Sequence, residues 1–156
     1  MFSVKSLILF SLPVLLIGCT PAAYEELAEA EIKCGGKLWV VAQLGKLSDV
    51  QCHINKGTPV DKPDKYGETP LSHAAKTGQT KVAALLIKNG ANVHAKDNSG
   101  RTPLHKAAKY HIGVAKVLIE NGANPHVKDK RGITPLQIAQ ETNSKYEIEL
   151  FKKYIK

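Results

Sequence analysis

The chain has 156 residues, 43% hydrophobic and 23% charged, with 22 Lys and Arg against 14 Asp and Glu and a formal charge of +8. That length suits a single domain, and so ordinary a composition excludes a chain too polar to fold. The basic balance asks for an acidic complement, whose nature depends on the compartment.

Lys5 precedes an apolar run from Leu7 to Ile17 that only Ser11 and Pro13 interrupt. Eleven residues are too few to span a bilayer but suit the core of a secretory signal, so residues 1–18 are expected to be a leader that is removed. Leu16-Ile17-Gly18-Cys19 resembles a bacterial lipobox, which implies cleavage before Cys19 and acyl chains on that residue. Each buried methylene contributes roughly 0.8 kcal/mol and a second chain makes anchoring stable, so Cys19 would hold the mature protein on a membrane. Thr20 after the cysteine, in place of Asp, implies by the same resemblance the periplasmic face of the outer membrane rather than the inner membrane. An ordinary signal peptide, or an anchor helix with an incidental cysteine, is the other reading. Loss of the leader removes only Lys5, lowering the formal charge from +8 to +7. An exported domain meets little nucleic acid, which leaves acidic protein surfaces or anionic headgroups as complements, unless the basic surface is merely solvated.

Residues 19–35 read as a lipid-anchored linker or N-terminal helix. Good helix formers dominate Thr20 to Lys33, and Glu25 and Glu26 suit the helix dipole near its N-terminal end. Tyr24, Leu27, Ala28 and Ile32 would form a strip that covers the domain behind it, or the segment is a spacer.

From residue 36 onward one pattern repeats. Gly67-Glu68-Thr69-Pro70-Leu71-Ser72-His73-Ala74-Ala75 is answered 33 residues later by Gly100-Arg101-Thr102-Pro103-Leu104-His105-Lys106-Ala107-Ala108, and Asn89-Gly90-Ala91-Asn92 by Asn121-Gly122-Ala123-Asn124. Thr69 can cap a helix whose first turn holds Pro70, and Gly90 can end a second helix in a left-handed conformation. The spacing predicts helices near Pro70–Thr77 and Thr80–Lys88, with Leu71, Ala74, Ala75, Val82, Leu85, Leu86 and Ile87 as the apolar set. Neither helix can bury that set alone, so neighbouring units must supply the rest of the core.

This period, with its T-P-L, A-A and late N-G-A, resembles the ankyrin repeat. The resemblance implies an all-α ankyrin-repeat solenoid of about four helix-turn-helix units with hairpin loops, over 36–156, plus the N-terminal helix. The units are 36–66, 67–99, 100–131 and 132–156. The first is divergent, with Gly36-Lys37 where the others have Thr-Pro, and Trp39 early in its first helix reads as packed beneath the N-terminal helix or as a binding residue. The third is one residue short between its helices, where Tyr110 and His111 replace the usual turn glycine, either by drift in a loop or as a contribution to binding. The fourth lacks an N-G-A hairpin and reads as a closing cap that buries Ile148, Phe151 and Ile155 while Lys145, Glu149, Lys152 and Lys153 face water. Beyond Cys19, Cys34 and Cys52 form an even pair in an oxidising compartment and could be bridged. Against the bridge, the period places Cys52 where later units have Leu85 and Val117, a core slot in which a thiol packs as a small hydrophobe.

Enzymatic motifs are missing: the sequence has no phosphate-cradling Gly-rich loop, no H-E-x-x-H, no G-x-S-x-G and no Cys-x-x-Cys. His105 occupies the T-P-L-H position, whose imidazole in the ankyrin family bonds backbone. His94 and His126 are equivalent hairpin residues, and His53 and His73 look isolated, so neither a metal nor another cofactor is expected. Asp61, Asp64, Asp97 and Asp129 read as repeat markers, the last three at hairpin bends. The resemblance implies a non-enzymatic, monomeric protein-binding module whose hairpin tips and first helices line a concave surface. Its variable positions correspond to Lys65, Tyr66, Glu68, Lys76, Thr77, Asn98, Ser99, Arg101, Lys109, Tyr110, His111, Lys130, Arg131 and Ile133. Lysines there would steer an acidic partner, and tyrosine and arginine are enriched at interface hot spots. Small lipoproteins with ankyrin repeats further resemble immunity proteins that bind and inhibit type VI secretion lipase or phospholipase effectors. A periplasmic scaffold or envelope stress-protection protein with another protein partner is the alternative.

Overall fold

A computed structural model describes residues 34–154 of the chain. The leader, Cys19, the N-terminal helix and Ile155 lie outside the described residues. Eight helices follow in pairs: α1 (Leu38–Gln43) and α2 (Leu47–Asn55), α3 (Pro70–Lys76) and α4 (Thr80–Lys88), α5 (Pro103–Ala107) and α6 (Ile112–Glu120), α7 (Pro135–Glu141) and α8 (Lys145–Tyr154). The odd-numbered helices pack in sequence on one another and so do the even-numbered ones, giving two parallel rows that share a core.

The Thr-Pro pairs start their helices as the sequence requires. Proline takes the first position, where its missing N–H costs nothing, and the threonine hydroxyl accepts an amide one turn on: Ser72 N–H to Thr69 at 3.3 Å and Gln137 N–H to Thr134 at 3.2 Å. In two units the bond is reciprocated. Thr102 N–H donates to His105 Nδ1 at 3.0 Å, and Thr134 N–H to Gln137 Oε1 at 2.9 Å, closing capping boxes. In the first unit Lys37 stands before the helix with no side-chain cap, and α1 is only 6 residues long.

The core runs from Leu38 to Phe151 and is made of leucine, valine and alanine contributed by every unit. Leu71, Ala74 and Ala75 are fully buried on α3, as are Leu104, Ala107 and Ala108 in and just after α5. The pairs of alanines let the inner row approach closely, and Val82, Leu86, Val114 and Leu118 fill the space behind them. Leu85 and Ile87 are half-buried rather than central, and Ala83, which the apolar set omitted, is buried. At the far end Phe151 is buried, Ile148 is half-buried and Lys145, Glu149, Lys152 and Lys153 are exposed, as a closing cap needs. Cys34–Lys156 is a compact unit in itself, and the buried cluster among its described residues draws on all four repeats, so this segment has a core of its own.

The turns between the two helices of each unit are tied to one another. Gln43, Lys76 and Lys109 follow at intervals of 33, and each offers its carbonyl to the next unit: Thr77 Oγ1 donates to Gln43 at 2.9 Å, His111 Nε2 to Lys76 at 3.1 Å and Ser144 Oγ to Lys109 at 2.7 Å. His111 is thus an architectural residue. Its ring lies so close over Gly78 that a Cβ there would sit 2.6 Å from Nδ1, as Gln79 lies over Gly45 one unit earlier. The shortened third turn replaces the lost glycine with a side chain that reaches back across the stack. In the fourth unit Asn143, at φ 52°, holds the left-handed position that Gly45 and Gly78 hold earlier, a conformation asparagine tolerates better than most residues.

Cys34 and Cys52 are bridged, with Cα atoms 5.6 Å apart. The core slot expected for a free thiol is only half-buried at Cys52, and equally so at Leu85 and Val117, so it lies at the edge of the core, within reach of the strand that leads into α1. The bridge closes a loop with a sequence separation of 18, and His53, the residue after Cys52, donates from Nε2 to the Gly36 carbonyl at 3.0 Å. Reduction, or Cys34→Ser with Cys52→Ser, is expected to lower unfolding stability by about 3 kcal/mol, read as a fall in the urea midpoint. An unchanged midpoint would show that the loop is ordered without the bridge.

His105 makes stability depend on pH. Burial holds its pKa below the usual 6.5, overcoming the Ile133 and Val127 carbonyls and the charges of Asp129 and Asp97, which favour the cation. Protonation of Nδ1 also removes the acceptor used by Thr102 N–H. The unfolded chain therefore binds the proton more readily than the folded one, and this contribution is full above about pH 6.5 and lost as pH falls through the lower folded value. His105→Gln, which installs the residue that unit four uses at this place, should flatten the urea midpoint across mildly acidic pH; an unaltered slope would assign the effect elsewhere.

Candidate protein-binding surface

Each hairpin is built round one aspartate. Asp64 accepts the amides of Tyr66 and Glu68, Asp97 those of Ser99 and Arg101, and Asp129 those of Arg131 and Ile133, all at 2.8–2.9 Å. For all three, burial raises the carboxyl pKa, but the two amides and a neighbouring side chain, His73 for Asp64, Lys106 for Asp97 and Arg131 for Asp129, outweigh it and leave the group below its ordinary value. Successive hairpins are then zipped together: Asn98 N–H donates to the Tyr66 carbonyl and Lys130 N–H to that of Ser99, both at 3.0 Å, while Asn98 Nδ2 reaches the Lys65 carbonyl at 3.3 Å. Lys65, Tyr66, Asn98, Ser99, Lys130 and Arg131 consequently stand in one exposed row.

Below that row, charged side chains of units two and three form a buried network. Lys106 on α5 is 6% exposed in its side chain and pairs with both Glu68 and Asp97, the latter at 2.6 Å. Arg101 Nε lies 3.3 Å from the same Asp97 oxygen. On the other side His73 Nε2 lies 3.0 Å from Asp64 and 3.6 Å from Glu68, and the Trp39 ring stacks on the His73 ring with centroids 5.1 Å apart. Lys106 therefore links two units that share no local sequence, at the cost of desolvating its charge. In the fourth unit Ile138 stands where His73 and Lys106 stand earlier, and one buried oxygen of Asp129 has no hydrogen bond, with Arg131 Nε 3.5 Å away.

This network corrects two expectations. His73 is not isolated, and Glu68 is not a surface residue: it is 6% exposed and held by Lys106, His73 and, at 3.8 Å, Lys76. Asp64, Glu68 and His73 do bring ligand atoms within 4.8 Å of one another, a spacing a metal ion could use. Those atoms are already spent on two backbone amides, on each other and on the Lys106 ammonium, so a cation would have to displace Lys106.

A groove of about 840 Å³ opens at the first two units, with Trp39, Tyr66 and His73 in its lining and Lys37, Lys62, Lys65 and Lys76 around it. Of the fourteen positions read from the sequence, Lys65, Tyr66, Glu68 and Lys76 meet here. Lys65 and Lys109 each lie over the following tyrosine ring, 4.9 and 4.8 Å from the centroids of Tyr66 and Tyr110. Thr77, Lys109, Tyr110 and His111 fall at the opposite ends of the inner helices from the hairpins. Thr77 and His111 are committed to carbonyls of neighbouring turns, and Ile133 is half-buried with its carbonyl accepting from His105 at 3.2 Å. Sequence reasoning passed over Lys37, Lys62 and Lys106; for Lys106 the signal was a charge directly before the Ala-Ala pair, on the face that must be buried.

Lys106→Met, which keeps the bulk and removes the charge, is expected to destabilise the domain by about 3–5 kcal/mol because Glu68 and Asp97 lose a buried partner. Pairing it with Glu68→Gln in a double-mutant cycle should recover part of that loss, and strict additivity in urea unfolding would deny the coupling.

The family of ankyrin repeats (3 copies) matches residues 38–129. An ankyrin repeat-containing protein of Schizosaccharomyces pombe is 29% identical over 75 residues, covering 48% of this chain and 36% of that protein. A putative ankyrin repeat protein of Rickettsia bellii is 35% identical over 69 residues (44% and 23%), and alpha-latrotoxin-Lg1a of Latrodectus geometricus is 42% identical over 57 (36% and 4%). The chain thus spans little more than a third, or less, of the length of these relatives. With the stacked helix pairs, the zipped hairpins and the match over 38–129, the chain belongs to the ankyrin-repeat family and is a protein–protein interaction module.

Proposed function

We propose that the chain is a lipid-anchored periplasmic protein that grips an acidic protein along the hairpin row and the groove beneath it, as an immunity protein that blocks a type VI secretion lipase or phospholipase. The observation that carries the binding half is how charge is distributed. Asp64, Glu68 and Asp97 are held inside by amides, His73 and Lys106, while Lys37, Lys62, Lys65, Lys76 and Lys130 are exposed, so the face presents lysines to solvent while these carboxylates are turned inward. Such a face accelerates encounter with an acidic partner and rejects a basic one. Tyr66, 59% exposed beside the groove, supplies the broad contact area that hot spots use.

The lipobox-like Leu16-Ile17-Gly18-Cys19 supports the anchor, and its pairing with a short ankyrin stack supports the immunity role. An inhibitor tethered beside lipid would meet the effector where that enzyme must work, and would occlude either its active-site entrance or its membrane-docking surface.

The reading requires a lipase encoded beside this gene, and its test is inhibition of that enzyme. Near-stoichiometric domain should abolish hydrolysis, and Lys62→Glu, Lys65→Glu and Lys76→Glu together should weaken binding roughly 10–100-fold, mostly through the association rate. Trp39 is the sole tryptophan and lines the groove, so its emission reports occupancy directly. Full lipase activity in excess domain would end the immunity reading, and an affinity indifferent to the three reversals would move the interface off this face.

A further inference from the structure

Seven large hydrophobic side chains are conspicuously exposed among the described residues, and five of them gather at the helix-to-helix turns: Leu44 (60%), Leu47 (42%), Tyr110 (66%), Ile112 (38%) and Tyr146 (75%). Tyr66 and Tyr154 are the other two. The carbonyl bonds from Thr77, His111 and Ser144 join the four turns into one continuous edge, so the five share that edge, in units one, three and four. Every turn also presents at least one exposed lysine, Lys46, then Lys76 and Lys81, then Lys109 and Lys145, and Lys109 lies over the Tyr110 ring. The acids nearest the turns are half-buried Asp49, exposed Glu141 and buried Glu147, so exposed cations outnumber exposed acids.

We propose that this turn edge is a membrane-docking surface for anionic phospholipid. The inner helices run from hairpin to turn, so the edge lies at the opposite end of the domain from the hairpin row and does not compete with it. Its chemistry is that of an interfacial binder. Leucine, isoleucine and tyrosine tips enter the headgroup boundary, where tyrosine is favoured for its apolar ring and polar hydroxyl, and flanking lysines keep their ammonium groups among phosphates. The apolar groups come from the turns of units one, three and four, and such an edge suits a flat fluid surface that needs no shape match. A docked edge leaves the hairpin row facing away from the lipid.

The experiment uses residues 34–156, which carry their own core and no acylation site. Vesicles of phosphatidylglycerol and phosphatidylcholine in equal parts should sediment the domain, pure phosphatidylcholine should bind it far less, and raised salt should release it. Leu44→Ser, Tyr110→Ser and Tyr146→Ser together should lower the partition coefficient at least about tenfold, while Tyr66→Ser leaves it unchanged. Should the triple variant unfold, hydrogen exchange of the unaltered domain decides the matter: vesicles should protect the turn segments and leave the hairpins exchanging as before. No sedimentation, equal binding to neutral vesicles, an equal loss with Tyr66→Ser, protection of the hairpins instead, or self-association through the same edge would each overturn the proposal. None of these outcomes bears on inhibition of a lipase through the hairpin row.

Discussion

No unit of this chain can bury its own apolar face, and the other features are answers to that constraint. Two helices of five to ten residues are too short to be stable in isolation, so each pair survives by placing its apolar face, Leu-x-x-Ala-Ala in units two and three, against the next unit. Alanine, not a larger residue, sits at the contact because the inner helices must come close enough for turn carbonyls to reach the following unit's side chains. A stack that grows this way has two exposed ends. The far one is closed by Phe151 on α8, whose outer face is lysine and glutamate; at the near one the Cys34–Cys52 bridge adds a covalent tie beside an uncapped α1.

Charge in the inner row follows from the same repetition. The position before the Ala-Ala pair is Val40, His73, Lys106 and Ile138 in the four units, so the end units are apolar there and the middle two polar. A polar side chain at such a place must be paired. Asp64 and Asp97, already fixed by hairpin amides, meet that need from above, and Glu68 reaches across from unit two to unit three. Hairpin aspartates thus shape the loop with one oxygen and neutralise the helix below with the other. Asp129 does the first without a helical partner for the second, because Ile138 cannot supply one.

Periodicity made the fold readable. Thr-Pro starts and left-handed glycines recur in phase, and each has a local cause that needs no knowledge of neighbours. What escaped depends on which residues stand opposite one another. Lys106 was passed over because its partners Glu68 and Asp97 lie in another unit, and His73 looked isolated because Asp64 and Glu68 approach it only once the hairpin folds over α3. The thiol at Cys52 was misjudged because alignment with Leu85 and Val117 gives the register of a slot but not its depth. His111 shows the converse. A one-residue deletion suggested a site of binding, yet geometry makes the histidine a substitute for the missing glycine, one that restores the contact between turns.

Because the inner helices begin at hairpins and end at turns, the two edges of the domain are read out from opposite ends of the same elements and can differ in chemistry without straining the core between them. At the hairpin end aspartates organise the backbone, so exposed positions are free to be lysine and tyrosine. At the turn end the backbone is organised by Thr77, His111 and Ser144 reaching carbonyls, which leaves Leu44, Tyr110 and Tyr146 outside with no internal role. Large apolar side chains with no partner weaken solubility and add little to folding, so their concentration on one edge, each beside a lysine, calls for an external surface in a way that scattered exposure would not.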